Sequence, residues 1–118
     1  MDHWIADTHL LHKRDAKRRF RDHIFQAWRH RCAYCGAANA TTLDHIKPRS
    51  RGGDTSTSNL APACPDCNRR KGSSEVFSWF RLQPQWTADR EADLLLWIHQ
   101  HCFADSAASL LLATVDDG

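Results

Sequence analysis

The sequence predicts a small α+β domain. A strand–loop–strand segment lies between two pairs of cysteines, the second of which opens a short helix, with a basic helix before this core and further helices after it. Three observations lead there. Cys32/Cys35 and Cys64/Cys67 are two Cys-x-x-Cys pairs separated by 28 residues. The stretch between them is rich in β-branched and turn-forming residues, whereas the flanks carry apolar residues at helical spacing. The 118 residues, 42% hydrophobic and 25% charged, suit a single domain whose apolar core is small enough to gain from a covalent or metal staple.

Residues 1–11 are expected to be a lead-in. Ala16, Phe20, Ile24 and Trp28, with Ala27 beside them, repeat at i, i+4 and predict an amphipathic helix over about 14–30. Cys32-Ala-Tyr-Cys35-Gly36 is read as a tight turn. Thr41 to Ile46 suits a short strand closed by Pro48, and residues 49–58 are loop by composition. Asn59-Leu-Ala-Pro suits a second strand. Cys64 to Lys71 reads as a turn entering a short helix that ends near Gly72.

The C-terminal helices are expected over about 74–113. One candidate is Ser74–Leu82, and a longer helix over 88–103 has Thr87 as N-cap and acidic residues early in it. Ala92, Leu95, Leu96, His99, Cys102 and Phe103 form its predicted buried stripe, widened by Leu94, Trp97 and Ile98, so this helix is either well buried or joins a partner chain.

Net charge is +2 but unevenly spread. Residues 12–71 hold 14 of the 16 Lys and Arg and 5 of the 14 Asp and Glu, a local excess of nine positive charges. Residues 72–118 carry an excess of five negative charges. Such asymmetry points to a basic face that meets a polyanion. No run approaches the roughly 20 apolar residues of a membrane span, so a membrane partner is not expected. The start lacks the pattern of a secretion signal, which makes the cytoplasm the expected location.

Five cysteines without a secretion signal argue against a disulfide framework. Two Cys-x-x-Cys turns instead supply the four thiolates that Zn²⁺ takes tetrahedrally. Such a site leaves no position for water or substrate, so the predicted zinc at Cys32, Cys35, Cys64 and Cys67 is structural. Cys102 is expected to be reduced and buried. His99 and His101, at i and i+2, do not share a helix face and are not expected to form a metal cluster.

The cysteine pairs bracket Leu43-Asp44-His45-Ile46-Lys47-Pro48-Arg49-Ser50-Arg51-Gly52-Gly53, then Asn59-Leu60, then Cys67-Asn68-Arg69-Arg70-Lys71. Over residues 32–71, about a third of the chain, this pattern resembles the HNH endonuclease family in its four-cysteine zinc branch. The resemblance implies a ββα-metal finger, two short strands and a helix around one catalytic divalent ion, with residues 32–72 as the core. It implies a divalent-metal-dependent endonuclease that hydrolyses phosphodiesters of duplex DNA, by nicking or double-strand cleavage. His45 would be the general base, Asp44 and Asn68 the ligands of Mg²⁺ or Mn²⁺, and Asn59 the residue that braces the loop and orients His45. Asn68 stands where the family name implies a second histidine, a departure that weakens the expected metal affinity.

The chemistry suits these residue types. Phosphodiester hydrolysis needs an activated water and charge neutralisation at phosphorus and the leaving oxygen. A neutral histidine is a suitable base near pH 7, and oxygen ligands suit a hard cation. Neighbours on a regular strand point to opposite faces, so the strand must end or twist if Asp44 and His45 serve one centre. Lys47, Arg49, Arg51, Arg69, Arg70 and Lys71, with Lys17, Arg18 and Arg21 of the basic helix, are the candidate phosphate contacts. Acting as a monomer or a homodimer is compatible with the sequence. The alternatives are a non-catalytic zinc-stapled nucleic-acid-binding module and a zinc scaffold for protein–protein contact; the Asp44–His45 pair favours the enzyme over both.

Overall fold

The computed structural model describes the backbone of residues 2–117 and the side chains of residues 12–102. Helix α1 spans Asp2–Ala27, strand β1 Thr42–His45 and strand β2 Leu60–Ala63. Helix α2 covers Pro65–Lys71, α3 Val76–Phe80 and α4 Ala88–Asp117. Short 3-10 turns at Arg49–Arg51 and Thr57–Asn59 shape the loop between the strands. No helix among the described residues is long and apolar enough to cross a membrane.

Residues 2–11 of the expected lead-in are part of α1, which extends the basic helix well beyond its predicted start. Its C-terminus is closed by a Schellman-type pair: the His30 amide donates to the Phe25 carbonyl at 2.8 Å and the Arg29 amide to the Gln26 carbonyl at 3.0 Å. This closure puts Arg29 and His30 at φ 55° and 58°, left-handed backbone that glycine adopts more readily.

β1 and β2 pair antiparallel, with Thr42 opposite Ala63, Leu43 opposite Pro62, Asp44 opposite Ala61 and His45 opposite Leu60. β2 is buried along its whole length. On its other side the Pro62 carbonyl accepts from the Ala33 amide at 2.9 Å, so the Cys32–Cys35 turn is bonded to the sheet. The proline removes a donor but keeps this acceptor, which an edge position in a two-stranded sheet permits.

The core gathers Ile24 and Phe25 of α1, Tyr34 of the turn, Leu60 to Ala63, Val76 and Phe80 of α3, and Leu94 and Trp97 of α4. The Trp97 indole N–H reaches the carbonyls of Leu60 at 2.9 Å and Thr57 at 3.1 Å, which pins α4 to the start of β2. Thr87 caps α4 as expected, its hydroxyl oxygen accepting from the Arg90 amide at 3.1 Å.

The buried stripe of α4 differs from the predicted one. Leu94, Trp97, Ile98 and His101 face the core, whereas Leu95 and Leu96 are 42% and 64% exposed, and Ala92, His99 and Cys102 are exposed. Phe103 lies outside the residues whose side chains are described. In a helix this apolar two stripes compete, and the indole donor of Trp97 fixes the choice. In α1, Ala16 and Ala27 are exposed, and Phe25 joins Ile24 in the core.

Replacing Arg29 with glycine relieves the left-handed strain at the end of α1. We expect Arg29→Gly to raise unfolding stability by about 1 kcal/mol, read as a higher urea midpoint with unchanged slope.

Candidate active site

The two Cys-x-x-Cys turns converge. The Sγ atoms of Cys32, Cys35, Cys64 and Cys67 all lie within 4.8 Å of one another, and Cys35 and Cys64 are 3.7 Å apart. Four thiolates bound to zinc at about 2.3 Å in a tetrahedron are spaced by about 3.8 Å, so the cluster is close to the size the ion needs. Local hydrogen bonds form it: the Gly36 amide donates to the Cys32 carbonyl at 2.9 Å, and the Cys67 amide to Cys64 Sγ at 3.4 Å. Burial, reinforced by the charges of Cys32 and Cys35, pushes the Cys67 thiol far above its ordinary range. Four sulfurs this close become thiolates together only around a cation, which matches a structural zinc.

A cleft of about 430 Å³ is lined by Asp44, His45, Arg49, Ser50, Asn68 and Ser73, among others. Asp44, His45 and Asn68 thus border one space. His45 is the last residue of β1, where the strand gives way to the loop. Asp44, one position earlier, is buried.

Each polar side chain here is oriented by a neighbour. Asn59 uses all its reach on the loop: Oδ1 accepts from the Lys47 amide at 2.7 Å, and Nδ2 donates to the carbonyls of Lys47 at 3.0 Å and Asp54 at 2.8 Å. Thr55 follows directly, and its Oγ1 lies 3.2 Å from His45 Nε2. Asn68 Nδ2 donates to Thr42 Oγ1 at 3.0 Å, and that hydroxyl donates onward to the Ala63 carbonyl at 2.9 Å. A hydroxyl whose proton is committed must accept from Asn68, so the nitrogen of Asn68 faces Thr42 and the carbonyl oxygen Oδ1 is left for another partner. Gly53 is also constrained, because a Cβ there would overlap the Lys47 carbonyl oxygen and crowd Asn59 Nδ2.

Lys71 corrects the sequence-based expectation. Instead of meeting phosphate, its side chain is fully buried, with Nζ 3.0 Å from Asp44 Oδ2 and 2.9 Å from the His45 carbonyl oxygen. A lysine at the last turn of a short helix next to two arginines reads as surface, but its helix face turns inward to the carboxylate of β1. Tyr34, which the sequence offered only as part of a turn, donates its hydroxyl to the same Oδ2 at 2.6 Å.

The remaining candidate cations are exposed. Lys47, Arg49 and Arg51 lie on the loop, and Arg69 and Arg70 on α2. Arg51 Nε donates to the Ser73 carbonyl at 2.6 Å, and Arg69 pairs with Asp66 at 3.2 Å. Lys17, Arg18 and Arg21 are exposed on α1, where Arg18 pairs with Asp15 at 3.2 Å and Arg21 lies over the Phe25 ring. Thr42, Thr55 and Tyr34 are the site residues that sequence reasoning missed. Thr42 and Thr55 sit in stretches where threonine is unremarkable, and only the folded register aims them at Asn68 and His45. Cys102, expected to be buried, is exposed.

Residues 32–74 match the family model described as HNH endonuclease. Neither the curated proteins nor the solved structures contain a match to the chain.

Two outcomes follow from this geometry. Removing the metal from the four-cysteine cluster with a strong chelator should release one zinc ion per chain and abolish the cooperative thermal transition, as read by a colorimetric zinc assay and circular dichroism. Gly53→Ala should cost about 1–3 kcal/mol in chemical denaturation by forcing Lys47 away from Asn59.

Proposed function

With residues 32–74 forming an HNH-family segment, we propose that the protein is a divalent-metal-dependent endonuclease that hydrolyses phosphodiester bonds of duplex DNA. The observation that carries this reading is that Asp44, His45 and Asn68 border one cleft, next to exposed arginines.

His45 is the general base. Thr55 Oγ1 lies 3.2 Å from Nε2; in the tautomer in which Nε2–H donates to that hydroxyl, the other ring nitrogen, Nδ1, is the one that takes a proton from water. Asn59 acts through the loop: it fixes the Asp54 carbonyl and so the place of Thr55. Asp44 and Asn68 would hold a hard cation, each offering one oxygen that Tyr34, Lys71 and Thr42 do not engage. Mg²⁺ or Mn²⁺ bound there supplies positive charge against the charge that develops on the phosphate and the leaving oxygen.

Arg49, at the cleft itself, meets the backbone near the scissile phosphate. Lys47, Arg51, Arg69, Arg70 and the cations of α1 spread the contact along the duplex. Phosphate contacts of this kind carry little sequence information and make binding fall steeply with salt. Modest sequence specificity is the consequence.

The test is cleavage of supercoiled plasmid by zinc-loaded protein with Mg²⁺ or Mn²⁺, beside His45→Ala. The expected result is a loss of about 100-fold or more in rate with DNA binding retained. Absence of cleavage by the unaltered protein with any divalent ion, while salt-sensitive DNA binding persists, would replace the enzyme with a non-catalytic zinc-stapled DNA-binding module.

A further inference from the structure

Lys71 is a buried cation that the hydrolytic scheme does not use. Its Nζ is 3.0 Å from Asp44 Oδ2, its side chain is fully buried, and it also donates to the His45 carbonyl at 2.9 Å. Tyr34 donates to the same carboxylate oxygen at 2.6 Å. Lysine is almost never fully buried without a partner, and removing one member of a buried pair strands the other charge. The carboxylate assigned to the divalent cation therefore already has a resident positive charge beside it.

We infer that Lys71 is a built-in counter-ion of the cation site, neutralising Asp44 when no divalent cation is bound and weakening that cation's hold by its own charge. The inference rests on Asp44 being a cation ligand. Tyr34 and Lys71 together occupy Oδ2, which leaves Oδ1 as the oxygen for the cation. Lys71 cannot swing away as the cation arrives, because its stem is packed in the core and its ammonium is also bonded to the His45 carbonyl. Two positive groups then share one carboxylate across a short distance in a poorly solvated place, where like charges repel strongly. The phosphodiester brings the negative charge that offsets this repulsion, so cation and DNA bind better together than apart. The fold, in turn, does not depend on the cation to compensate a buried carboxylate.

The experiment uses full-length, zinc-loaded protein in buffer freed of other divalent ions. Free Mn²⁺ is followed by electron paramagnetic resonance during titration, with thermal unfolding measured in parallel. Lys71→Met keeps an unbranched stem of similar length and removes the charge. We expect it to melt lower without Mn²⁺, to bind Mn²⁺ roughly tenfold more tightly or better, and to recover stability at saturating Mn²⁺. Tyr34→Phe removes a neutral donor and should shift affinity much less. Combining Asp44→Asn with Lys71→Met should restore stability without Mn²⁺ and abolish tight binding.

Lys71→Met with unchanged or weaker Mn²⁺ affinity overturns the counter-ion role. Should Lys71→Met fail to fold, the double variant decides: folding of the double supports an uncompensated carboxylate as the cause, and failure of the double overturns it. Absence of both Mn²⁺ binding and cleavage in the unaltered protein would instead bring down the reading of the site as a whole.

Discussion

Four sulfur atoms drawn within 4.8 Å of one another hold the turn after α1 against the start of α2. Everything between those points depends on that closure. β1 and β2 are four residues each, and a sheet of two such strands is marginal in water by itself. The Cys32–Cys35 turn adds a hydrogen bond from Ala33 to Pro62 on the edge of β2 that faces away from β1. It also inserts Tyr34 among Trp79 and Phe80 at centroid distances of 5.2 and 5.3 Å. A metal-sized sulfur cluster thus does in this chain what a larger apolar core does in a bigger domain.

The cleft is built from groups whose directions are set one step away. Asn59 spends its amide on the loop, Thr42 turns Asn68, Thr55 meets His45, and Tyr34 with Lys71 grips Asp44. A charged or polar group in a partly dry place is useful only when its alternatives are closed off, since otherwise it satisfies itself elsewhere. Small residues serve the same end. Gly53 lets the loop backbone press on Lys47 so closely that the Asn59 bonds can form.

Much of this was legible in the sequence because it was local. The cysteine pairs, the Pro and Gly punctuation and the run from Thr41 to Ile46 place the strands, α2 and the sulfur cluster. The caps were also legible: Thr87 heads α4 and Gly72 ends α2. What stayed hidden was non-local. Lys71 meets an aspartate from a different element, and its neighbours Arg69 and Arg70 disguise it as surface charge. Tyr34 carries a buried phenol inside a stretch that reads only as a turn. The phase of α4 was illegible for another reason: Leu94 to Trp97 is apolar on consecutive positions, so periodicity fits two faces equally. A carbonyl at the start of β2 chooses between them through the Trp97 indole.

Helix α2 is only seven residues long, yet the chain through it sets Cys64 at its cap, Cys67 and Asn68 within it, and Lys71 at its end. A helix turns about 100° per residue, so inserting or deleting one residue between Cys67 and Lys71 would swing one group out of alignment with the rest. The distances between these four residues are therefore fixed as on a ruler. The loop over 49–58 is held differently, at separate points, by Asn59 at Asp54, Arg51 at Ser73 and Trp97 at Thr57, and not by one helical repeat. Length variation in proteins built this way should stop abruptly at the second cysteine pair.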